Sequence, residues 1–185
     1  MQKGGLRSGS VRVLLLVGAI GWLSACAPSS FTTLRKTPNA YVISFPKVHA
    51  TVQLADPTYR LEIEEPGRPY YLLVNDTTGV DISFMFDRPT DCTSSRACRD
   101  YGAKQYQAAN PELKDFTVGE IGDVPVYEYT SPPVSGFDLK QHHMNAHFVT
   151  DEVWVDVHLS KVSYEPKDHE LFERAVRAIG VQQTK

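Results

Sequence analysis

Four histidines crowd into one short stretch, Lys140 to Ser160 (KQHHMNAHFVTDEVWVDVHLS), at positions 142, 143, 147 and 158, with Trp154 and Asp156 among them. Imidazoles beside a carboxylate suit two kinds of chemistry, ligation of a transition metal and general base work. His143 and His147 stand four apart, the spacing by which a helix presents two zinc ligands. The residue after His143, however, is Met144, where the HExxH motif requires its glutamate. The flanking residues also alternate between apolar and polar, which indicates a strand, and in a strand positions i and i+4 lie about 13 Å apart.

The same alternation organises both arms of the stretch as an antiparallel hairpin. His142, Met144, Ala146 and Phe148 share one face with Val153, Val155, Val157 and Leu159; Gln141, His143, Asn145 and His147 share the other with Trp154, Asp156, His158 and Ser160. A turn centred on Thr150-Asp151 sets His143 opposite His158, Asn145 opposite Asp156 and His147 opposite Trp154, so that facing residue numbers sum to 301. A sum of 302 would mix polar with apolar and is disfavoured. Opposed Cβ atoms lie about 4.5–5.5 Å apart, near enough for His143 and His158 to share a metal ion, with His147 and Asp156 as further ligands. The alternative is a solvated sheet face on which histidine, asparagine and aspartate are ordinary occupants, with no cofactor. Trp154 on that face is either a contact point for a protein, glycan or peptidoglycan partner, or a ring covered by a helix or loop.

Signals for other chemistry are missing. There is no GxSxG elbow, phosphate loop or dinucleotide fingerprint, and paired carboxylates such as Glu64-Glu65 and Asp151-Glu152 fall at strand ends or in turns. A non-enzymatic protein is expected. The 185 residues suit one domain, and a composition of 42% hydrophobic and 22% charged residues is that of an ordinary globular protein.

The first 26 residues differ from the rest. Lys3, Arg7 and Arg12 precede an apolar run, Val13 to Leu23, that is short for a bilayer span and suits an export signal. It ends in Leu23-Ser24-Ala25-Cys26, which resembles the lipobox of bacterial lipoproteins. That resemblance implies a signal peptide over residues 1–25, a diacylglyceryl thioether on Cys26 and an acylated amine, hence stable membrane anchoring. Ala27 in second place, rather than the aspartate that commonly retains such proteins in the inner membrane, implies the outer membrane, facing the periplasm. Losing residues 1–25 removes three basic and no acidic residues, which takes the formal charge from −3 to −6. No basic stripe with interleaved aromatics remains, and a nucleic-acid partner is not expected. In an oxidising periplasm Cys92 and Cys98, the two remaining cysteines, are expected to form a disulfide.

Elements that position the hairpin can be read on either side of it. Residues 26–40 read as a lipidated N-terminus and tether, and residues 41–181 as one globular domain. Segments Tyr41–Phe45, Val48–Leu54, Tyr59–Glu64, Pro69–Val74, Val80–Phe86, Phe116–Val118 and Val124–Tyr129 read as strands separated by Pro, Gly and Asn/Asp turns. Arg96–Ala109 reads as a helix weakened by Gly102 and with a poor apolar stripe, and Pro166–Ile179 as a helix with Leu171, Phe172, Ala175, Val176 and Ile179 on one stripe, ended by Gly180. The expected class is α+β, an antiparallel sheet of about seven or eight strands with the C-terminal helix on its apolar face. The closing order strand, hairpin, strand, helix is similar to folds of the PsbP and Mog1 group, over roughly the last fifty residues, and carries over no functional residue. Taken together, these features point to a periplasm-facing outer-membrane lipoprotein that binds an envelope protein or polymer, or else one that binds a metal or small ligand on the polar hairpin face.

Overall fold

The computed structural model describes residues 32–45, 48–65, 70–133 and 140–183. Among them eleven strands and two α-helices follow in order: β1 (Thr33–Lys36), β2 (Tyr41–Phe45), β3 (Ala50–Leu54), β4 (Arg60–Glu65), β5 (Tyr70–Val74), β6 (Val80–Asp87), α1 (Ser95–Ala109), β7 (Lys114–Ile121), β8 (Val124–Ser131), β9 (Gln141–Val149), β10 (Trp154–Val162), α2 (His169–Arg177) and β11 (Ile179–Gln183). A seven-stranded antiparallel sheet runs β4-β5-β6-β10-β9-β8-β7, and a four-stranded sheet runs β1-β2-β3-β11. The chain is therefore α+β, as its alternating segments predict. The hairpin β9–β10 lies in the middle of the large sheet, where both of its strands have neighbours.

One core unites the two sheets and α2. Met144, Ala146, Val155, Val157 and Leu159 from the hairpin meet Ile82 and Phe84 of β6, Ile43 of β2, Val52 of β3, and Phe172 and Val176 of α2. The apolar stripe of α2 thus lies where its sequence directs it. On the opposite face of the large sheet α1 packs across β8 and β9, and Ala103, Tyr127 and Tyr129 form a smaller cluster there with Tyr106, Leu113 and Phe116.

Three sequence expectations need correction. The tether of residues 26–40 ends sooner than expected: Thr33–Lys36 pairs with β2, Leu34 packs on the core and Ala40 is buried. Polar composition concealed an edge strand in which only one side chain packs inward. The C-terminal helix is shorter, with one 3-10 turn at Pro166–Asp168 followed by α2, and Gly180 is not its terminator. Ile179 and Gly180 instead enter β11, which pairs with β3 and completes the small sheet. Finally, the hairpin register sums to 303, with Ser160 opposite His143 and Asn145 opposite His158. The Thr150 amide donates to the Val153 carbonyl and the Val153 amide to Thr150 Oγ1, so the turn centres on Asp151-Glu152, one residue later than expected. A shift of two in the sum preserves parity, and both faces keep their predicted occupants.

Local chemistry explains the helix that the sequence marked as weak. Ser94 caps α1 by accepting from the Ala97 amide at 3.2 Å, and Asn110 closes it by donating to the Tyr106 carbonyl at 2.8 Å. Cys92 and Cys98 form a disulfide with Cα atoms 5.0 Å apart, which fastens the segment before α1 to its first turn. At Asn75 the side chain is buried and its Oδ1 accepts from the Thr77 and Thr78 amides, an Asx turn that shapes the β5–β6 connection.

Phe172 is fully buried at the junction of α2 with both sheets. Phe172→Ala is expected to cost about 3–5 kcal/mol of stability by creating a cavity there. Urea unfolding measures this directly, and a loss under about 1 kcal/mol would show that α2 is not a structural member of the core.

Candidate functional site

The polar face of β9–β10 is covered along β9 and only partly buried along β10, at Trp154, Asp156 and His158. His143 and Asn145 are buried and His147 is 0% exposed, because α1 and the tyrosines of β8 lie over them. The backbone of α1 approaches closely at Gly102: a Cβ there would sit 3.6 Å from His147 Cε1 and 3.7 Å from Tyr127 Cε1. Trp154, partly buried, is packed edge-on against Tyr101 of α1 with ring centroids 6.5 Å apart. Of the two fates the sequence allowed for Trp154, cover by a helix is the one observed.

Buried imidazoles and amides need hydrogen-bond partners, and they find them along the diagonals of the hairpin. His143 Nδ1 and His158 Nε2 are 2.9 Å apart, Asn145 Nδ2 donates to Asp156 Oδ1 at 2.9 Å, and Trp154 Nε1 donates to His147 Nδ1 at 3.1 Å. These are the three pairs that the sum of 301 set opposite one another. They are diagonal rather than facing in the observed register, and long side chains reach across that separation. The sequence therefore identified the right partners by a register two short of the true one.

The imidazole pair extends at both ends. Ser131 Oγ of β8 lies 2.7 Å from His143 Nε2, and Ser83 Oγ of β6 lies 3.5 Å from His158 Nδ1. A line of four side chains, Ser131–His143–His158–Ser83, thus crosses the strands β8, β9, β10 and β6. Tyr129 stacks on His143 with centroids 4.7 Å apart and donates its hydroxyl proton to Tyr106 Oη at 2.9 Å. Neither serine was singled out from sequence, since their relation to the histidines is set by strand order and leaves no spacing signature.

Two buried side-chain atoms have no hydrogen-bond partner among the described residues, Asn145 Oδ1 and His147 Nε2. Indole N–H can only donate, so His147 Nδ1 must carry the lone pair that receives it. The neutral ring then holds its proton on Nε2. One unmatched acceptor and one unmatched donor therefore lie two residues apart on the same face of β9.

Among the described residues no group of three or more His, Cys, Asp or Glu side chains is placed to hold a metal ion. Of the expected ligands His143, His158, His147 and Asp156, the first two turn their facing nitrogens on each other, and Asp156 and His147 are engaged by Asn145 and Trp154. Cys26 lies outside the described residues.

A second cluster lies on the apolar side, unforeseen except for the odd placement of His142 among apolar neighbours. His142 stacks on Tyr164 at 4.2 Å, and its Nε2 lies 3.0 Å from Glu128 Oε2. Glu128 Oε1 is 3.3 Å from His169 Nε2, and His169 Nδ1 is 3.4 Å from Glu173. Burial alone would raise the Glu128 pKa, but hydrogen bonds to His142 and His169 outweigh it and hold the carboxyl below its usual range.

No family model matches the chain, and no curated protein matches it. Among solved structures it is similar to cyanobacterial PsbP (CyanoP) from Synechocystis sp. PCC 6803, at 9% identity and a TM-score of 0.50, over 89% of this chain and 100% of that one. The fold is thus of the PsbP kind over nearly the whole domain, well beyond the closing fifty residues. A protein of Bacteroides thetaiotaomicron VPI-5482 aligns at 9% identity and a TM-score of 0.47 over 72% of this chain, which spans only 45% of that protein.

Burial gives the polar face a pH dependence of known sign. His143 is pushed down to about 2 by burial, with the neighbouring His158 and His142 adding to the effect. Burial also lowers His147 and His158, against the opposing charge of Asp156. Below the ordinary histidine value of 6.5 the unfolded chain binds protons that the folded chain refuses, so stability falls as pH drops through that region. Each histidine held neutral contributes a slope of about 1.4 kcal/mol per pH unit once its unfolded counterpart is protonated. Glu128 acts in the same direction lower down, since its stabilisation is lost as pH falls below the ordinary carboxylate range. The melting temperature is expected to fall steadily from pH 7.5 to pH 5, with a shallower fall in His143→Gln/His158→Gln. A flat profile in the parent protein would contradict the burial of these rings.

Proposed function

We propose that this chain is a lipoprotein, anchored through Cys26 in the outer membrane and facing the periplasm, that binds an envelope protein through its β7 edge. The lipobox-like Leu23-Ser24-Ala25-Cys26 and the disulfide Cys92–Cys98 support the address. What carries the binding reading is the exposure of β7, the edge strand of the large sheet opposite β4. Six of its eight residues, Lys114, Asp115, Thr117, Val118, Gly119 and Glu120, are exposed, and Val118 is 51% exposed. An outer strand offers a row of backbone N–H and C=O groups to an extended segment of another chain, which adds itself to the sheet.

Side-chain selectivity has a location beside that edge. A groove of about 590 Å³ runs between α1 and β7, lined by Asp100, Ala103, Lys104, Gln107, Phe116 and Val118. Its apolar floor and the opposite charges of Asp100 and Lys104 suit a peptide with an apolar residue flanked by charged ones. Trp154, the contact point suggested by sequence, is committed to Tyr101 and His147 and gives way to Val118 in this role. Crosslinking in intact envelopes followed by affinity capture tests the reading. One partner is expected with the parent protein and with Trp154→Phe, reduced at least tenfold in Val118→Asp and in Cys26→Ala. Equal capture by Val118→Asp would remove β7 as the interface.

A second reading has its own support. Asn145 Oδ1 and His147 Nε2 offer an acceptor and a donor to a small polar ligand beneath α1, on the polar face already expected to take a metal or small molecule. Calorimetric titration with zinc or copper addresses the metal form. Saturable binding lost in His143→Ala and His158→Ala is the expected signature of that reading, and binding unchanged in those variants would reject it.

A further inference from the structure

The Ser131–His143–His158 line has an order of atoms that neither its structural role nor the binding reading uses. In it a hydroxyl meets Nε2 of one imidazole at 2.7 Å, while Nδ1 of that ring meets Nε2 of a second at 2.9 Å. Nucleophilic hydrolases need this connectivity: nucleophile to base, base to an orienting group. We propose that Ser131 is a nucleophilic serine, with His143 as its base and His158 as the positioning residue, able to take an acyl or phosphonyl group from an ester-class electrophile. This goes beyond binding at β7 and does not depend on it.

The proton positions are self-consistent. If Ser131 donates to His143 Nε2, the neutral His143 carries its proton on Nδ1 and donates it to His158 Nε2. His158 then carries its own proton on Nδ1, facing Ser83 Oγ. Tyr129 stacked on His143 fixes the ring plane. The nucleophile can be reached from solvent: Ser131 is partly exposed at the end of β8, whereas its base His143 is buried behind it.

In the reaction a bond forms between Ser131 Oγ and the carbonyl carbon of an ester as the hydroxyl proton passes to His143 Nε2. The bond to the alcohol breaks, and the departing oxygen takes that proton. Water then attacks the acyl-serine, gives a proton through the same ring, and releases the acid and the free hydroxyl. With a fluorophosphonate the P–F bond breaks instead, fluoride and the proton taken from Ser131 leave to solvent, and a stable phosphonyl-serine remains. Burial disfavours a cationic His143 and so makes it a weak base that slows the attack, and slow adduct formation is therefore a better readout than turnover.

Intact-mass spectrometry of the folded protein with a fluorophosphonate probe tests this. A single adduct is expected, mapped by peptide sequencing to Ser131 and absent in Ser131→Ala. The labelling rate should fall at least about 100-fold in His143→Gln, the scale of a lost general base. His158→Ala should slow labelling about tenfold, while His158→Gln, whose amide oxygen can still accept from His143 Nδ1, should restore much of it. A merely structural His158 would not distinguish the two by rate once both are shown folded by melting. No adduct on the folded parent protein, an adduct elsewhere, or an unchanged rate in His143→Gln would each overturn the proposal. Partner capture by Ser131→Ala should be that of the parent, which separates failure here from failure at β7.

Discussion

A polar strand face has been placed under a helix, and much of this structure follows from satisfying it. An unpaired buried donor or acceptor costs about 1–3 kcal/mol, so His143, Asn145, His147 and their neighbours could together cancel a small domain's stability. Three cross-strand hydrogen bonds and two serines answer most of that demand. They run on hairpin diagonals and need both strands in register, so a slip of one residue would bury polar groups without partners on one face and expose the core on the other. The network specifies the hairpin at least as strongly as its apolar side does.

Several contacts then hold α1 in place over the network. Ser95 Oγ accepts from the Val149 amide at the end of β9, Arg99 donates to the Gly119 carbonyl of β7 at 2.9 Å, and Arg96 pairs with Glu120. Arg99 is nearly buried, so its charge is matched by the Gly119 carbonyl and by Asp100 rather than by water. The disulfide fastens the entry to the helix. The exposed Arg96 pair contributes little by itself, whereas the buried Arg99 contact fixes the helix relative to β7. The groove beside β7 thus takes its shape from the cover over the histidines.

Much of this was legible in the sequence wherever period and parity decide structure. Alternation over Gln141–Val149 and Trp154–Val162 separated the two faces correctly, the stripe of α2 predicted its burial, and the cysteine pair its bridge. What was not legible depends on which strands become neighbours. Ser83 and Ser131 join the histidines only because β6 and β8 flank the hairpin, and β1 and β11 are short strands whose partners define them better than their own composition does. The turn at Thr150–Val153 was misplaced by one residue because a threonine side chain closes it. Polarity misled most at His143 and His147, since a sequence cannot reveal that a helix with a poor apolar stripe will cover polar residues. That stripe was poor because α1 rests on tyrosine and histidine rings, which need neighbours able to meet polar atoms as well as apolar ones.

The two faces of the sheet divide the work accordingly. The apolar face joins two sheets and α2 by area, an undirected attraction that tolerates conservative replacement. The polar face joins five strands and a helix by directed bonds, and directed bonds leave defined lone pairs and protons at their ends. Any chemistry in this domain must begin where such a chain reaches solvent, and the Ser131–His143–His158–Ser83 line ends at Ser131, partly exposed at the end of β8. A hydroxyl held there by a buried, neutral imidazole is different from a hydroxyl in water, because its acceptor is fixed in direction and cannot be lost to solvent. The requirement that stabilises the hairpin is therefore the same one that orients Ser131.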